Sequence, residues 1–256
     1  MFKHQEWTFD VIKTHISTSD EVDQLCKQLE LPAIPEMTFG HNQLKITHEN
    51  GFFIQFNTRE ALEKVDNKND LLKVAIAAQW RESREGHEHI DSMGKPYDWS
   101  YTTAYRGSVQ DDKKQVEVFE SKDQIDFEKL KIREKILFSE ELVLFEDELA
   151  DNGIAKLSVK LRVMPSCLYM LMRFFLRVDD VLVRINDTRL YHEFGTNKMV
   201  RNYKSKERAF SELKHLSRVV LADDNILDQH LELKSSINET IDISKCIGCT
   251  ECERPL

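Results

Sequence analysis

The order of the elements predicted for this 256-residue chain indicates an α+β protein. Successive strands are separated by short turn signals, and strands joined in this way pair antiparallel as hairpins. The predicted helices stand in blocks of their own instead of alternating with single strands, which argues against a doubly wound α/β fold. We therefore expect one domain over residues 1–220 and a different kind of segment over residues 221–256.

The most apolar stretch of the chain, residues 156–193, is expected to form the centre of the sheet. Apolar and polar side chains alternate over residues 156–163, which is the pattern of a half-buried strand. Two β-rich runs follow, joined by Asp179 and Asp180, so a hairpin is predicted there. The stretch ends in polar residues, which such a core would hold rigidly.

The other elements are predicted from local signals. Residues 6–16 alternate loosely and are expected to form an edge strand. Thr18 and Glu21 make a capping box ahead of apolar residues at helical spacing, so a helix is predicted next. The remaining predictions are strands at 44–47 and 52–56, a strand from about Trp99, a polar loop at 85–95, and helices at 59–65, 70–84, 126–135 and 206–216.

The charge balance and the hydropathy of the chain restrict its partners. A formal net charge of −9 is poorly suited to nucleic acid, whose phosphates require a basic surface. No segment approaches the roughly 18 to 20 apolar residues of a membrane span, and the first residues show no secretory signal. Cys26 and Cys167 lie far apart in apolar settings typical of reduced thiols. We therefore expect neither nucleic acid nor a membrane as partner, and a cytoplasmic or also nuclear location.

The last part of the sequence, residues 221–256, is acidic and has no clear periodicity, so we expect a disordered tail. It carries Cys246, Cys249 and Cys252 in the motif CIGCTEC, a spacing at which thiolates can share a metal ion or an iron-sulfur cluster. The motif lacks a fourth ligand, and no cofactor is expected. A metal-binding scaffold built on this tail nevertheless remains an alternative function.

A second alternative is an enzyme. Asp187, Arg189, His192 and Glu193 could form an acid/base site, and a hydrolase or metal-dependent activity would use Asp187, His192 and Glu193. The chain contains no Walker A, GxGxxG, HExxH or G-x-S-x-G motif. A structural or binding network around Asp187 is therefore favoured. We expect its carboxylate to be held rigidly at a strand end, where Arg184 and Arg189 could orient it and where it could also accept hydrogen bonds from a bound peptide.

Five segments of the chain form a specific set: IPEMTFG (34–40), KPYDWSYTT (95–103), LVLFEDEL (142–149), LSVKLRVMPS (157–166) and RFFLRVDDVLVRINDTRLYHE (173–193). They recur in order over roughly residues 5–215, and the CIGCTEC motif lies outside the pattern. Together these segments resemble the TOR signalling pathway regulator-like (TIPRL) family, also described as Tap-forty-two-interacting-protein-like.

The resemblance implies a non-enzymatic regulator that binds catalytic subunits of type 2A-family serine/threonine phosphatases. Such regulators are linked to the alpha-four type regulator, to holoenzyme disassembly or latency, and to TOR signalling. The implied fold is an antiparallel β-sandwich-like core flanked by helices, with a groove for the C-terminal tail of the phosphatase.

The resemblance also implies binding positions. They fall at Glu60, where the family commonly has Asp, at Ile125, at Ile185, where Met is common, and at Asp187. Two further candidates come from the residues themselves. Trp99 stands in an aromatic cluster that could be core or an interface anchor, and Arg189 could orient Asp187.

Overall fold

Two antiparallel β-sheets packed face to face form the body of the chain in a computed structural model. The structure describes residues 1–31, 33–65, 100–111, 116–132 and 134–244. The strand pairs within these residues are antiparallel. The α+β class and the sandwich-like core flanked by helices are thereby confirmed.

The smaller sheet has five strands among the described residues and is built from the first part of the chain. In spatial order they are β1 (Phe2–His4), β2 (Trp7–Ile12), β4 (Gln43–His48), β5 (Phe52–Asn57) and β6 (Ser108–Asp111). The predicted strands at 44–47 and 52–56 are confirmed as β4 and β5. Gly51 takes a φ of 99° in the turn between them, a conformation that glycine adopts without a steric penalty.

The larger sheet has eight strands within the described part of the chain. In chain order they are β3 (Met37–Thr38), β7 (Val118–Glu120), β8 (Phe138–Asp147), β9 (Gly153–Val163), β10 (Cys167–Val178), β11 (Leu182–Glu193), β12 (Lys198–Ala209) and β13 (Glu232–Asp242). Their spatial order is β3-β8-β9-β10-β11-β12-β13-β7. The predicted central strand and hairpin are therefore confirmed.

The hairpin between β10 and β11 turns through three residues rather than the predicted Asp-Asp pair. Val178 pairs with Leu182, so residues 179–181 form the loop. Asp180 adopts a left-handed φ of 62° at its centre, which Asp tolerates better than most residues. This extra residue sets the register of the whole hairpin.

Short helices flank the sheets. They are α1 (Ser19–Leu29), α2 (Thr58–Glu63), α3 (Phe127–Lys131), α4 (Phe210–Leu213), α5 (Arg218–Ala222) and α6 (Asp224–Leu227), followed by a 3-10 turn (Asp228–His230). The predicted capping box is confirmed, because the Glu21 carboxylate accepts from the backbone N–H of Thr18 at 2.7 Å. The helix predicted at 59–65 is present as α2, with Asn57 rather than Thr58 as its N-cap.

The main core lies between the two sheets. Strand side chains alternate between faces, so the even-numbered residues of β10 point into this core and are buried there. The smaller sheet contributes a set of large apolar residues, among them Trp7, Phe9, Ile54 and Phe56, each at most 2% exposed. Phe2 and Phe138 stack across the sheets with ring centroids 4.7 Å apart. The sandwich is thus closed by apolar contact along its length.

The outer face of the larger sheet points away from the smaller sheet and carries the odd-numbered residues of β10 and β11. Two apolar clusters cover its ends. The α3 cluster, which packs against α3, consists of Ile125, Met164, Cys167 and Tyr191. The C-terminal cluster, which packs with α4, α5 and α6, consists of Phe175, Val183, Ile185, Leu213, Leu227 and Leu231. Between the clusters lies a polar strip formed by Leu171, Arg173, Asp187, Arg189 and Lys204.

The expectation of a disordered tail beyond residue 220 is wrong for residues 221–244. Strand β13 pairs with β12 from Lys198 to Glu207, and Ile241 is fully buried in the main core. Small polar residues interrupt the hydrophobic pattern of β13, so the sequence alone does not predict a strand here. Pairing with β12 determines its structure. Cys246, Cys249 and Cys252 lie outside the described residues.

Four other predicted elements differ from the structure. The edge strand expected over residues 6–16 is β2, which pairs with β1 on one side and β4 on the other. The helix predicted at 206–216 is wrong in its first half, because β12 continues to Ala209 in register with β11. The helix predicted at 126–135 ends at Lys131, since Ile132 is extended. The strand predicted from Trp99 begins only at Ser108 within the described residues. Trp99, the helix at 70–84 and the loop at 85–95 lie outside the described residues.

A truncation tests the structural role of β13. Ending the chain after Leu231 removes this strand, leaves β12 paired only with β11 and withdraws Ile241 from the core. We expect the melting temperature, followed by circular dichroism, to fall by about 10 °C or more. Ending the chain after Ser244 keeps β13 and serves as the control. Equal melting temperatures for the two truncations would contradict this role.

Candidate functional site

Asp187 lies in the middle of β11 rather than at a strand end, and it is only 1% exposed. Both of its carboxylate oxygens are occupied. Arg173, its cross-strand partner on β10, donates from Nε to Oδ1 at 2.7 Å and from Nη2 to Oδ2 at 2.8 Å. Arg189 adds a further hydrogen bond to Oδ2. The expectation that Asp187 stands at a strand end is therefore wrong, and its two oxygens already accept hydrogen bonds from arginines of the protein.

Arg173 also ties the polar strip to the C-terminal helices. Its Nη1 donates to the Asp224 carboxylate and to the Asn225 side-chain oxygen, each at 3.1 Å. Burial disfavours the charged guanidinium, but the hydrogen bonds and charges of Asp187 and Asp224 outweigh it, so the pKa of Arg173 is raised. The arginine therefore stays charged and joins the sheet to α6.

Two residues implied by the family resemblance are buried beneath the elements that pack on the outer face. Ile125 belongs to the α3 cluster and is 5% exposed, and Ile185 belongs to the C-terminal cluster and is 1% exposed. Together with Asp187 they lie on the same face of the same sheet. Because all three are buried, they can shape the surface but offer little area for direct contact. Arg189 is more open, with 13% of its side chain exposed.

Glu60 lies elsewhere. It is on α2, beside the smaller sheet, and it accepts hydrogen bonds from the Tyr105 hydroxyl at 2.9 Å, the Gln55 amide at 2.5 Å and the Ser108 hydroxyl. Burial and the neighbouring Glu60 charge raise the pKa of Tyr105, so its hydroxyl remains a donor. The structure therefore does not place Glu60 in the polar strip.

The residues of the alternative enzyme site do not come together. His192 points to the inner face, where its ring lies 4.7 Å from that of Trp7, whereas Asp187 points to the outer face. Glu193 is engaged by Lys129 at 2.8 Å. Among the described residues, no group of three or more His, Cys, Asp or Glu side chains could hold a metal ion. This arrangement does not support acid/base catalysis by Asp187, His192 and Glu193.

None of the helices in the described part of the chain is long and apolar enough to cross a membrane.

Sequence reasoning missed three residues that the structure places at the site. They are Arg173, Asn202 and Lys204. Arg173 is a charged residue within an apolar run, which is the signal of a buried ion pair. Asn202 and Lys204 immediately precede the helix that was wrongly predicted at 206–216. Because no strand was predicted over them, the sequence did not show that both side chains lie on the outer face.

Comparison with known proteins assigns the chain to a family. The model of the TIP41-like family matches residues 37–214. The chain belongs to the TIP41-like family. The relationship suggested by the sequence segments is thereby confirmed.

Relatives of the TIP41-like family cover nearly the whole chain. A TIP41-like protein of Homo sapiens is 47% identical over 235 residues, covering 92% of this chain and 86% of the human protein. The type 2A phosphatase activator TIP41 of Saccharomyces cerevisiae is 34% identical, covering 88% of this chain and 70% of the yeast protein. The type 2A phosphatase activator tip41 of Schizosaccharomyces pombe is 33% identical, covering 88% and 90%.

Neutralising Asp187 should destabilise this TIP41-like protein. Asp187→Asn leaves Arg189 without its counter-charge and Arg173 with Asp224 alone, in a buried site, so we expect a loss of about 2 to 4 kcal/mol in the free energy of unfolding. Asp180→Asn is the matched control, because the carboxylate of Asp180 is 78% exposed and its ion pair with Lys214 contributes about 1 kcal/mol at most. Chemical denaturation of both variants measures the difference, and equal losses would contradict the buried network.

Burial lowers the pKa of His192, although the Lys198 carbonyl and nearby Glu193 and Glu6 act in the opposite direction. A lowered folded-state pKa means that stability is full above the unfolded pKa of about 6.5 and is lost as the pH falls through the folded value. We expect the melting temperature to fall as the pH is lowered below about 6.5, and His192→Gln to flatten that dependence.

The control for this prediction is His15→Gln, which changes an exposed histidine of the same chain. It should keep the wild-type dependence of melting temperature on pH. An unchanged slope in His192→Gln would show that other groups govern the acid sensitivity.

Proposed function

We propose that this chain is a non-catalytic regulator that binds the catalytic subunits of type 2A-family serine/threonine phosphatases. The proposal rests on the names of two yeast relatives, both of which are called type 2A phosphatase activators. The separation of Asp187 and His192 onto opposite faces of the sheet supports a binding role rather than a catalytic one.

The contact surface we propose is the polar strip on the outer face. Leu171, Arg189 and Lys204 are partly exposed there, and the apolar clusters border the strip at either end. An extended segment such as the C-terminal tail of the phosphatase catalytic subunit fits a surface of this kind. A binding surface that is already rigid loses less conformational entropy when a ligand binds. The ion pairs of Arg173 with Asp187 and Asp224 make the polar strip rigid in this way.

Under this proposal the candidate residues have different roles. Ile125 and Ile185 support the borders from below, and Asp187 holds Arg189 in place for contact. Glu60 would belong to a second contact area, since it lies beside the smaller sheet. Trp99, which lies outside the described residues, is proposed as a further anchor on its residue type alone. Tyr and Trp side chains commonly act as anchors in such contacts.

The wider setting follows from the family resemblance. We propose that binding changes the assembly of the phosphatase holoenzyme and acts within TOR signalling, together with the alpha-four type regulator. The place of action is the cytoplasm, with the nucleus as an additional location.

A direct binding measurement tests the proposal. Surface plasmon resonance should detect binding between this chain and a purified type 2A catalytic subunit. Leu171→Gln, which puts an amide in place of an apolar side chain of the polar strip, should weaken binding about tenfold, or 1.4 kcal/mol. Its effect on stability should be small, because Leu171 packs in neither apolar cluster.

Val219→Gln is the control, because Val219 is 75% exposed on α5. It should bind like the wild type. A wild-type chain that binds no catalytic subunit would overturn the proposed function, whereas equal binding by the wild type and Leu171→Gln would overturn only the placement of the surface.

A further inference from the structure

Asn202 is a buried side chain with an unused acceptor. It is 5% exposed, and its Oδ1 has no hydrogen-bond partner within the described residues. Its Nδ2 donates to the Asn238 side-chain oxygen at 2.7 Å and to the Ile237 carbonyl at 3.4 Å. The contact with the Ile237 carbonyl favours this orientation of the amide, because a carbonyl oxygen can only accept. A buried acceptor without a donor is costly, so this oxygen suits an incoming N–H group.

Lys204 provides an unused charge on the same face of β12, two residues further along. Its ammonium makes no hydrogen bond or ion pair with any residue that the structure describes. Asp187 is its cross-strand partner on β11, but both oxygens of that carboxylate already accept from Arg173 and Arg189. The positive charge of Lys204 is therefore available to a ligand.

Both side chains line one small cavity at the edge of the polar strip. Its volume is about 90 Å³, roughly three times the share of one water molecule in the liquid. The other residues around it are Gln124, Ile125, Phe127, Ser236 and Asn238. The cavity thus combines an apolar wall, a cation and a buried acceptor in a space that suits one small polar group.

A ligand for this cavity must bring a negative acceptor for Lys204 and a donor for Asn202. A peptide residue that carries a carboxylate next to its own backbone N–H provides both at once. A simple halide ion lacks the donor, and an uncharged amide leaves the Lys204 charge without a partner. A terminal carboxylate and an Asp or Glu side chain share the required chemistry.

We propose that the cavity is a carboxylate-binding subsite, in which Lys204 pairs with a carboxylate of the bound peptide and Asn202 accepts the neighbouring backbone N–H. This inference rests on the proposed function, because the peptide is the phosphatase segment that the polar strip receives. It names the chemistry by which the strip recognises that segment.

The test uses N-terminally labelled peptides covering the last fifteen residues or so of a type 2A catalytic subunit, with affinity read by fluorescence polarisation. One form has a free C-terminus, a second has an amidated C-terminus, and a third has Asn or Gln in place of each Asp or Glu. Lys204→Met should weaken binding of the free form about tenfold or more. The modified peptide that lacks the recognised carboxylate should bind the wild type about tenfold more weakly than the free form does. The same peptide should bind Lys204→Met no more weakly than it binds the wild type. This pattern identifies which carboxylate pairs with Lys204.

Lys160→Met is the matched control, since Lys160 lies on the same outer face and pairs with Glu141. It removes the same charge outside the cavity and should change affinity by less than about twofold. Asn202→Ala should weaken all three peptides while its melting temperature shows that it folds. Equal effects of Lys204→Met and Lys160→Met would overturn the subsite and indicate general electrostatic attraction.

The intact catalytic subunit separates the two proposals. If it binds the wild type and Lys204→Met equally well, the subsite is overturned while the proposed function stands. If it does not bind the wild type, the proposed function itself fails.

Discussion

Burial of β10 on both faces is the constraint on which the rest of the structure depends. Its even-numbered residues face the smaller sheet, and a strand with period two necessarily sends the others to the opposite side. Cys167 and Phe175 are apolar on that side, so they require cover. The short helices α3 to α6 provide it at the two ends, and these helices have too few residues to be stable without that contact.

The middle of the same face is covered differently, by an ion cluster instead of a helix. Two arginines around one aspartate keep a net positive charge in a poorly hydrated place, and Asp224 offsets it from the next element. Such a cluster contributes little net stability compared with apolar packing, but it fixes geometry firmly once formed. The sheet thereby presents oriented polar groups to its surroundings without a flexible loop.

The sequence predicted the fold better than it predicted the site. Alternation in β9 and the apolar density of β10 were sufficient to place the central strands, because those patterns depend on local periodicity. Asp187 was also recognised as a candidate residue. Arg189 was expected to orient it, but its cross-strand partner Arg173 was missed, since a two-residue turn would have put Met172 opposite Asp187 in place of Arg173. One loop residue decides which side chains meet, and local pattern does not reveal it.

The same limit explains the errors near the C-terminus. Residues from Lys206 onward have acceptable helical spacing, yet β12 continues because the adjacent strand supplies hydrogen-bond partners as far as Ala209. Strand β13 has mostly exposed side chains over its first half, so its hydrophobic pattern is weak. Both elements owe their structure to neighbours distant in sequence, a contribution that propensity does not contain.

Strand β13 is covered unevenly. Among the described residues, β7 pairs only with Glu239, Thr240 and Ile241, so the first half of the strand shows an edge without a described partner. Open edges can template the addition of a foreign strand and so start aggregation. Glu232 and Lys234 stand on this edge with Leu233 between them, 56% exposed. Charges beside an exposed apolar residue are the usual gatekeepers of such an edge, because they oppose the addition of a foreign strand.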